Sequence, residues 1–381
     1  MLLIRNAHLK TMAGPDIENG CLLLRDGKIA DIGEHISAPA EAEIIDAGGR
    51  LVTPGCMDGH CHIGLWNSGV GVEGHDFNEV VDPISPQMRA IDSINPQDEC
   101  FSEALRGGVT CAATGVGGVN ALGGTFVALK LYGRRIDDMI LKYPIAVKAA
   151  LGENPKSFYT AIEKSPQTRM MAAALMREGL FRARRYMEDK EKGKQPAFDL
   201  RWEALIPVLK REIPIKAHAH RADDICTALR IAREFNIRVT IEHCTDGPLI
   251  ADVLAKEGVA AFVGPSLHGK SKIEIRSLSF KTPGILDRAG VPVSIVTDAP
   301  EIPLQHLPLC AGLAVCAGMD RDAAWRAITI TPAIHCEVGD RIGSLEKGKD
   351  ADVVIWEDDP LTRIGAEALI TIVDGTVVYR K

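Results

Sequence analysis

Apolar and polar positions follow three regimes along the chain. At the start, short apolar runs at 2–4, 20–24 and 28–32 read as strands, and Arg25-Asp26-Gly27-Lys28 reads as an Asp-Gly hairpin turn between two of them. The end of the chain repeats that character, with a strand over 351–356 and a hairpin of 370–373 and 376–379 about Asp374-Gly375. Neither end carries enough strands to bury a face alone. Residues 1–53 and 342–381 are therefore predicted to meet in one small β-sandwich domain formed by both chain ends.

The middle, 54–341, alternates strand-like and helix-like segments, which predicts parallel strands joined by crossover helices. Ile225, Ala228, Leu229 and Ala232 form an i, i+3, i+4, i+7 stripe within 222–234. A longer helix with a charged second half is predicted over 168–192. Strand candidates lie at 51–57, 109–114, 125–131, 145–151, 213–218, 238–243, 259–264 and 291–297. Eight strands alternating with helices give an α/β chain whose central part is a (β/α)8 TIM-type barrel. The third strand is the exception in pattern, since 125–132 also reads as half of an excursion hairpin, which would leave the barrel one strand short.

The chemistry gathers at strand ends. In Pro54-Gly55-Cys56-Met57-Asp58-Gly59-His60-Cys61-His62, two histidines at i and i+2 follow an apolar strand, a spacing that turns both to one side. Downstream, apolar strands end in His218 and His220, in His243 and in Asp298. In a barrel of parallel strands, the carboxyl-terminal mouth holds the chemistry, and each of these residues falls there. Histidine and carboxylate donors suit Zn²⁺ or another borderline divalent ion, one or two per chain.

Composition narrows the alternatives. The chain has 381 residues, 46% of them hydrophobic, and a formal charge of −7. No basic stripe interleaves with aromatics, so nucleic acid is excluded as a partner. No apolar run approaches the ~20 residues that span a bilayer, and the first residues lack the pattern of a signal peptide. The ten cysteines contain no Cys-x-x-Cys pair. Cys111, Cys226, Cys310 and Cys316 read as small buried hydrophobes, and the set suits a reducing, cytoplasmic setting.

The motif Pro-Gly-x-x-Asp-x-His-x-His, the two later strand-end histidines, the strand-end Thr297-Asp298 and the closing run Gly343-Ser344-Leu345-Glu346-Lys347-Gly348-Lys349-Asp350-Ala351-Asp352 together resemble the amidohydrolase superfamily. The likeness spans nearly the whole chain and is nearest to the imidazolonepropionase-related and dipeptidase-like metal-dependent hydrolases. It implies a barrel with an attached β-sandwich, one or two divalent metals, and hydrolysis of carbon–nitrogen bonds. The ligands it implies are His60, His62, His218, His243 and Asp298. Its chemistry is attack by metal-bound hydroxide on an amide or cyclic amide, with Asp298 shuttling the proton. A deaminase of a heterocycle or amidine is the competing reading, and a barrel that has lost catalysis is disfavoured because every ligand position is filled.

A second metal needs a bridging anion from a middle strand. Lys148, carbamylated, starts about 15 Å deeper than Glu153 at the rise of a strand. Glu153, freed by Gly152, is therefore the preferred bridging ligand and Lys148 the alternative. The loops beside the ligands supply candidates for substrate contact: His75, His220, Arg221 and His268. A carboxylate on the substrate would suit Arg221, unless that arginine pairs with Asp223 or Asp224. The stretch 115–124 reads as a flexible glycine-rich loop, not a dinucleotide fingerprint. The partner is a small molecule. Barrels of this kind often self-associate, so a homo-oligomer is compatible with the chain, although no interface is legible.

Overall fold

The computed structural model describes residues 1–381. Five strands open the chain: β1 (Leu2–Leu9), β2 (Ile17–Arg25), β3 (Lys28–Gly33), β4 (Glu43–Asp46) and β5 (Leu51–Pro54). Eight follow in the central part: β6 (Cys56–Cys61), β7 (Val109–Gly115), β8 (Leu122–Lys130), β9 (Ile140–Ala150), β10 (Ile215–Ala219), β11 (Val239–His243), β12 (Ala261–Val263) and β13 (Val293–Ile295). Three close it: β14 (Val353–Trp356), β15 (Ala368–Val373) and β16 (Thr376–Arg380).

The opening and closing strands join in the order β16-β15-β14-β5-β1-β2-β3, with β4 added on β1. The seam between the two ends is the antiparallel pair β14–β5, from Val353↔Pro54 to Ile355↔Val52. The expected sandwich is thus a single hydrogen-bonded sheet with its own apolar cluster, including Leu9, Leu22, Val52, Val353 and Ile372. Both hairpin turns fall where the Asp-Gly pairs predict. Asp26 and Gly27 have φ of 52° and 75°, Asp374 and Gly375 of 47° and 73°, the two left-handed central residues that a tight hairpin of matching twist requires.

The central strands form a second sheet ordered β13-β12-β11-β10-β9-β8-β7-β6. All neighbours are parallel except β8, which is antiparallel to both β7 and β9. The regular (β/α)8 repeat is corrected at this point. The chain reverses directly from β7 into β8, with no helix between, and only the one-turn helix Ile136–Met139 precedes β9. Antiparallel strands need no crossover, so a short glycine-rich connection suffices. The strand predicted at 51–57 is also divided. Residues 51–54 pair in the terminal sheet, and the barrel strand begins at Cys56. The break is at Gly55, where a Cβ would lie 2.0 Å from Thr110 Oγ1.

Backbone ladders do not join β13 to β6, and side chains bridge that gap. Asp58 Oδ2 accepts from the Thr297 amide at 2.8 Å and from its hydroxyl at 2.6 Å. Helices cover the outside of the barrel, with Arg169–Glu191 capped by Thr168, whose hydroxyl accepts from the Met171 amide, and Ala222–Phe235 packed on the face carrying Ala217 and Ile241. The terminal sheet docks through a buried charge network. Lys130 of β8 reaches Asp352 and Asp374, each at 2.8 Å, and Asp350 at 3.0 Å. All ten cysteines are free. Cys111 and Cys310 are buried, but Cys226 is only partly covered and Cys316 is exposed, because it lies on the outward side at the end of helix Leu307–Cys316. No helix is long and apolar enough to cross a membrane.

Candidate metal centre

Five imidazoles and one carboxylate converge at the carboxyl ends of β6, β10, β11 and β13. His60, His62, His218, His220 and His243 are each at most 6% exposed. Donor atoms of His60, His243 and Asp298 lie within 4.8 Å of one another, and so do those of His218, His220 and His243. Asp298 Oδ1 is 3.3 Å from His62 Nε2 and 3.6 Å from His60 Nε2.

The rings are held by one edge. His62 Nδ1 lies 2.7 Å from the Gly115 carbonyl and His243 Nδ1 2.8 Å from the Gly264 carbonyl. A carbonyl only accepts, so each Nδ1 carries the proton and each Nε2 keeps a lone pair. His60 Nδ1 faces Glu242 Oε2 at 2.9 Å, and His220 Nδ1 faces Thr245 Oγ1 at 2.8 Å. Such outer contacts fix the tautomer and aim of metal-binding histidines. Burial pushes four of the imidazoles down, His243 to about 4 and His60, His218 and His220 well below the usual range, so these four rings are neutral donors. Burial works to raise the Asp298 carboxyl, but the facing histidines and Lys148 outweigh it and hold it below the usual range. His218 Nε2 and Asp298 Oδ1 are buried without hydrogen-bond partners, as donor atoms aimed at a cation would be in a structure without one.

Backbone strain marks the same places. His243, Cys244 and Asp298 have φ of 72°, 50° and 54°, a region that few non-glycine residues adopt. At His243 this has a direct consequence. Strict alternation would turn Glu242 and His243 to opposite sides, yet both reach the centre, because the left-handed residue breaks the alternation and sends Cys244 into the outer apolar cluster.

Lys148 is fully buried inside the barrel, with Nζ 2.9 Å from His60 Nε2. Burial lowers its pKa to about 8. Level with it on β10, Lys216 pairs with Glu242 at 3.0 Å and stands 3.6 Å over the Phe262 ring. Glu153 is not brought to the histidines. Gly152, with φ 88°, turns the chain out of β9, and Glu153 opens the helix Glu153–Ala161. Its Oε2 accepts from the Glu274 amide at 3.2 Å, while its own amide donates to Glu274 Oε2 at 2.8 Å. Lys148 rather than Glu153 reaches the histidines, because its long stem extends from β9 to His60 while the glutamate leaves with the helix.

Two lobes, each of about 350 Å³, meet at Asn154, His218, His243, Asp298 and Glu301. One carries Trp66, Phe77 and Phe158, and the other carries His220, His268 and Lys272. Larger cavities beside Trp356 and at Arg221 hold none of the five histidines. Arg221 forms a forked pair with Asp223, at 2.9 and 2.7 Å, outside both lobes. His75 is exposed, packs its edge on Trp66 at 4.8 Å, and lines neither lobe. His268 lines the polar lobe and meets Glu301 at 3.0 Å. The stretch 115–124, read as a flexible loop, is mostly buried, and its two ends belong to β7 and β8. A Cβ at Gly118 would lie 2.8 Å from His218 Nδ1.

A model of the amidohydrolase family matches residues 51–379. The chain belongs to the amidohydrolase family. A crystal structure of an amidohydrolase from Thermotoga maritima MSB8 superposes over 100% of both chains with a TM-score of 0.96 at 37% identity. The amidohydrolase tasK of Hapsidospora irregularis is 28% identical over 94% of this chain, which spans only 40% of tasK. An imidazolonepropionase from Mesorhizobium japonicum is 25% identical over 93% of this chain and 91% of its own. Membership makes this amidohydrolase an enzyme acting on carbon–nitrogen bonds in small molecules, in a metal-dependent hydrolase and deaminase family.

Several residues of this amidohydrolase's centre escaped the sequence reading. Asp58 stands two residues before the His-x-His pair, and its Oδ1 accepts from the His60 amide at 2.9 Å. Glu242 directly precedes His243. Both were in view as motif positions, but their partners are far off in sequence. Glu274 carried no signal at all.

Proposed function

We propose that this amidohydrolase is a metal-dependent hydrolase of amide or cyclic amide bonds. The observation that supports it most is the convergence of the buried rings of His60, His62 and His243 on Asp298, with Nδ1 of His62 and His243 held by backbone carbonyls. His60, His62 and Asp298 would hold one divalent cation, Zn²⁺ by donor type, and His218 with His243 a second. Lys148, 2.9 Å from His60 Nε2, would bridge them as a carbamate, its neutral amine forming a bond to CO₂ and losing a proton. Such cations polarise the scissile carbonyl and lower the pKa of the attacking water.

The chain's own groups do the rest. Asp298 takes the water's proton on a carboxylate oxygen and delivers it to the leaving nitrogen. The Gly115 and Gly264 carbonyls and Glu242 keep the imidazole rings in register. Trp66 and Phe77 would exclude water from one side of the substrate. A carboxylate-bearing substrate has lost its best support, since Arg221 is engaged by Asp223 and the Lys272 ammonium by Glu274. Residues 54–341 would form the catalytic unit and 1–53 with 342–381 its supporting domain. Ten free cysteines favour the cytoplasm.

The test is metal content of chelator-free protein, with turnover of N-acyl amino acids, dipeptides, cyclic amides and aminated heterocycles. Two cations per chain with amide cleavage is the expected result. One cation with ammonia release from a heterocycle would instead make the enzyme a deaminase.

A further inference from the structure

Glu274 lies in the one-turn segment Ile273–Ile275, in the loop after β12. Its side chain is 1% exposed. One oxygen is fixed by the Glu153 amide at 2.8 Å. The other, Oε1, faces His218 Nε2 at 3.7 Å and His220 Nε2 at 3.8 Å. Those separations are too long for hydrogen bonds. They suit two donors on one ion, because ligands at about 2.1 Å from Zn²⁺ in tetrahedral array are about 3.4 Å apart. His218 Nε2 is buried without a hydrogen-bond partner, and Oε1 has only the Lys272 ammonium beside it. Thr245 occupies His220 Nδ1 and leaves Nε2 toward the same space.

We infer that Glu274 and His220, with His218, complete a divalent-cation site on the outer side of His243, an inference that rests on the metal-dependent reading above. The centre then has unequal halves: an inner position around His60, His62 and Asp298, and an outer one with a carboxylate supplied by the loop after β12. Lys272 explains how the outer carboxylate tolerates burial without a cation. Its ammonium stands 2.8 Å from Glu274 Oε1. It also donates to Asn154 Oδ1 at 2.6 Å, and its side chain is 25% exposed, so it has a route outward when a cation arrives. Lysine and cation therefore compete for one oxygen.

The experiment is titration of chelated full-length protein with Co²⁺, read by bound metal per chain and by the visible absorption of the bound ion. Wild type is expected to bind two ions. Glu274→Gln and His220→Asn should each keep the tighter ion and weaken the second by about 100-fold or more, with a changed spectrum. Lys272→Met should keep both and bind the second more tightly. If Glu274→Gln proves unfolded by circular dichroism, His220→Asn carries the test. Second-ion binding unchanged in these variants overturns this site alone, and a wild type that binds a single ion overturns this site together with the Lys148 bridge. A wild type that binds none overturns the metal-dependent function as well.

Discussion

Lys148 Nζ stands 2.9 Å from His60 Nε2, in the interior of the barrel, where neither residue touches water. In the two-cation reading proposed above, a carbamate formed on this amine would be the bridging anion. Replacing it with methionine keeps the volume and removes the bridge. We expect Lys148→Met to bind one cation instead of two, to lose activity by at least about 100-fold, and to be indifferent to bicarbonate. Wild-type protein stripped of CO₂ should recover its second cation when labelled bicarbonate is added. Equal metal content in the variant would rule the bridge out.

Asp298 has φ 54° and a largely buried carboxylate. Asparagine tolerates left-handed backbone and keeps the shape. Asp298→Asn should therefore fold with an unchanged melting temperature while kcat drops by about 10²–10⁴. A variant retaining more than a tenth of wild-type kcat would show that the proton moves through another group.

Asp58 binds three donors at once: the His60 amide and the amide and hydroxyl of Thr297. It ties the first barrel strand to the last, across the gap that the backbone leaves open. Asp58→Ala leaves those donors unpaired, at about 1–3 kcal/mol for a buried group, and should cost at least about 3 kcal/mol in urea unfolding. Asp58→Asn, with one acceptor oxygen left, should fall between. A loss under 1 kcal/mol for the alanine variant would remove Asp58 from the closure of the barrel.

Metal-free protein should be acid-sensitive. Burial lowers His243 to about 4, below its unfolded value of about 6.5. Between those values the unfolded chain binds more protons than the folded one, so stability falls as pH drops through that window. The contribution is absent above pH ~6.5 and reaches about 3 kcal/mol near pH 4 for this residue alone. Urea midpoints of chelated protein should decline from pH 7.5 to 5, and His243→Asn should flatten the decline. A pH-independent midpoint would contradict the buried neutral imidazoles.

Arg221 is held by Asp223 on the rim. Arg221→Ala should change KM less than twofold for acidic and neutral substrates alike, and stability by no more than about 0.5 kcal/mol. A selective rise in KM for acidic substrates would return Arg221 to the binding site.

By itself the sequence determined the local grammar. Asp-Gly turns and the apolar stripe of 222–234 depend on neighbours within a few residues, and both hairpins and that helix formed where those signals stand. The histidines and Asp298 were legible because strand ends of a barrel share one mouth, so a ligand's place follows from its place in its own strand. Tertiary structure decided what depends on direction and on distant partners. The reversal of β8 is one such case, since an apolar strand reads the same in either sense. Lys148 and Glu153 are another: one φ at Gly152 sent the glutamate off with its helix and left the lysine at the centre. Glu274 is the furthest from sequence reasoning. Its carboxylate acquires a meaning only because the loop after β12 folds back over His218 and His220, and a contact across 56 residues of chain leaves no periodic mark.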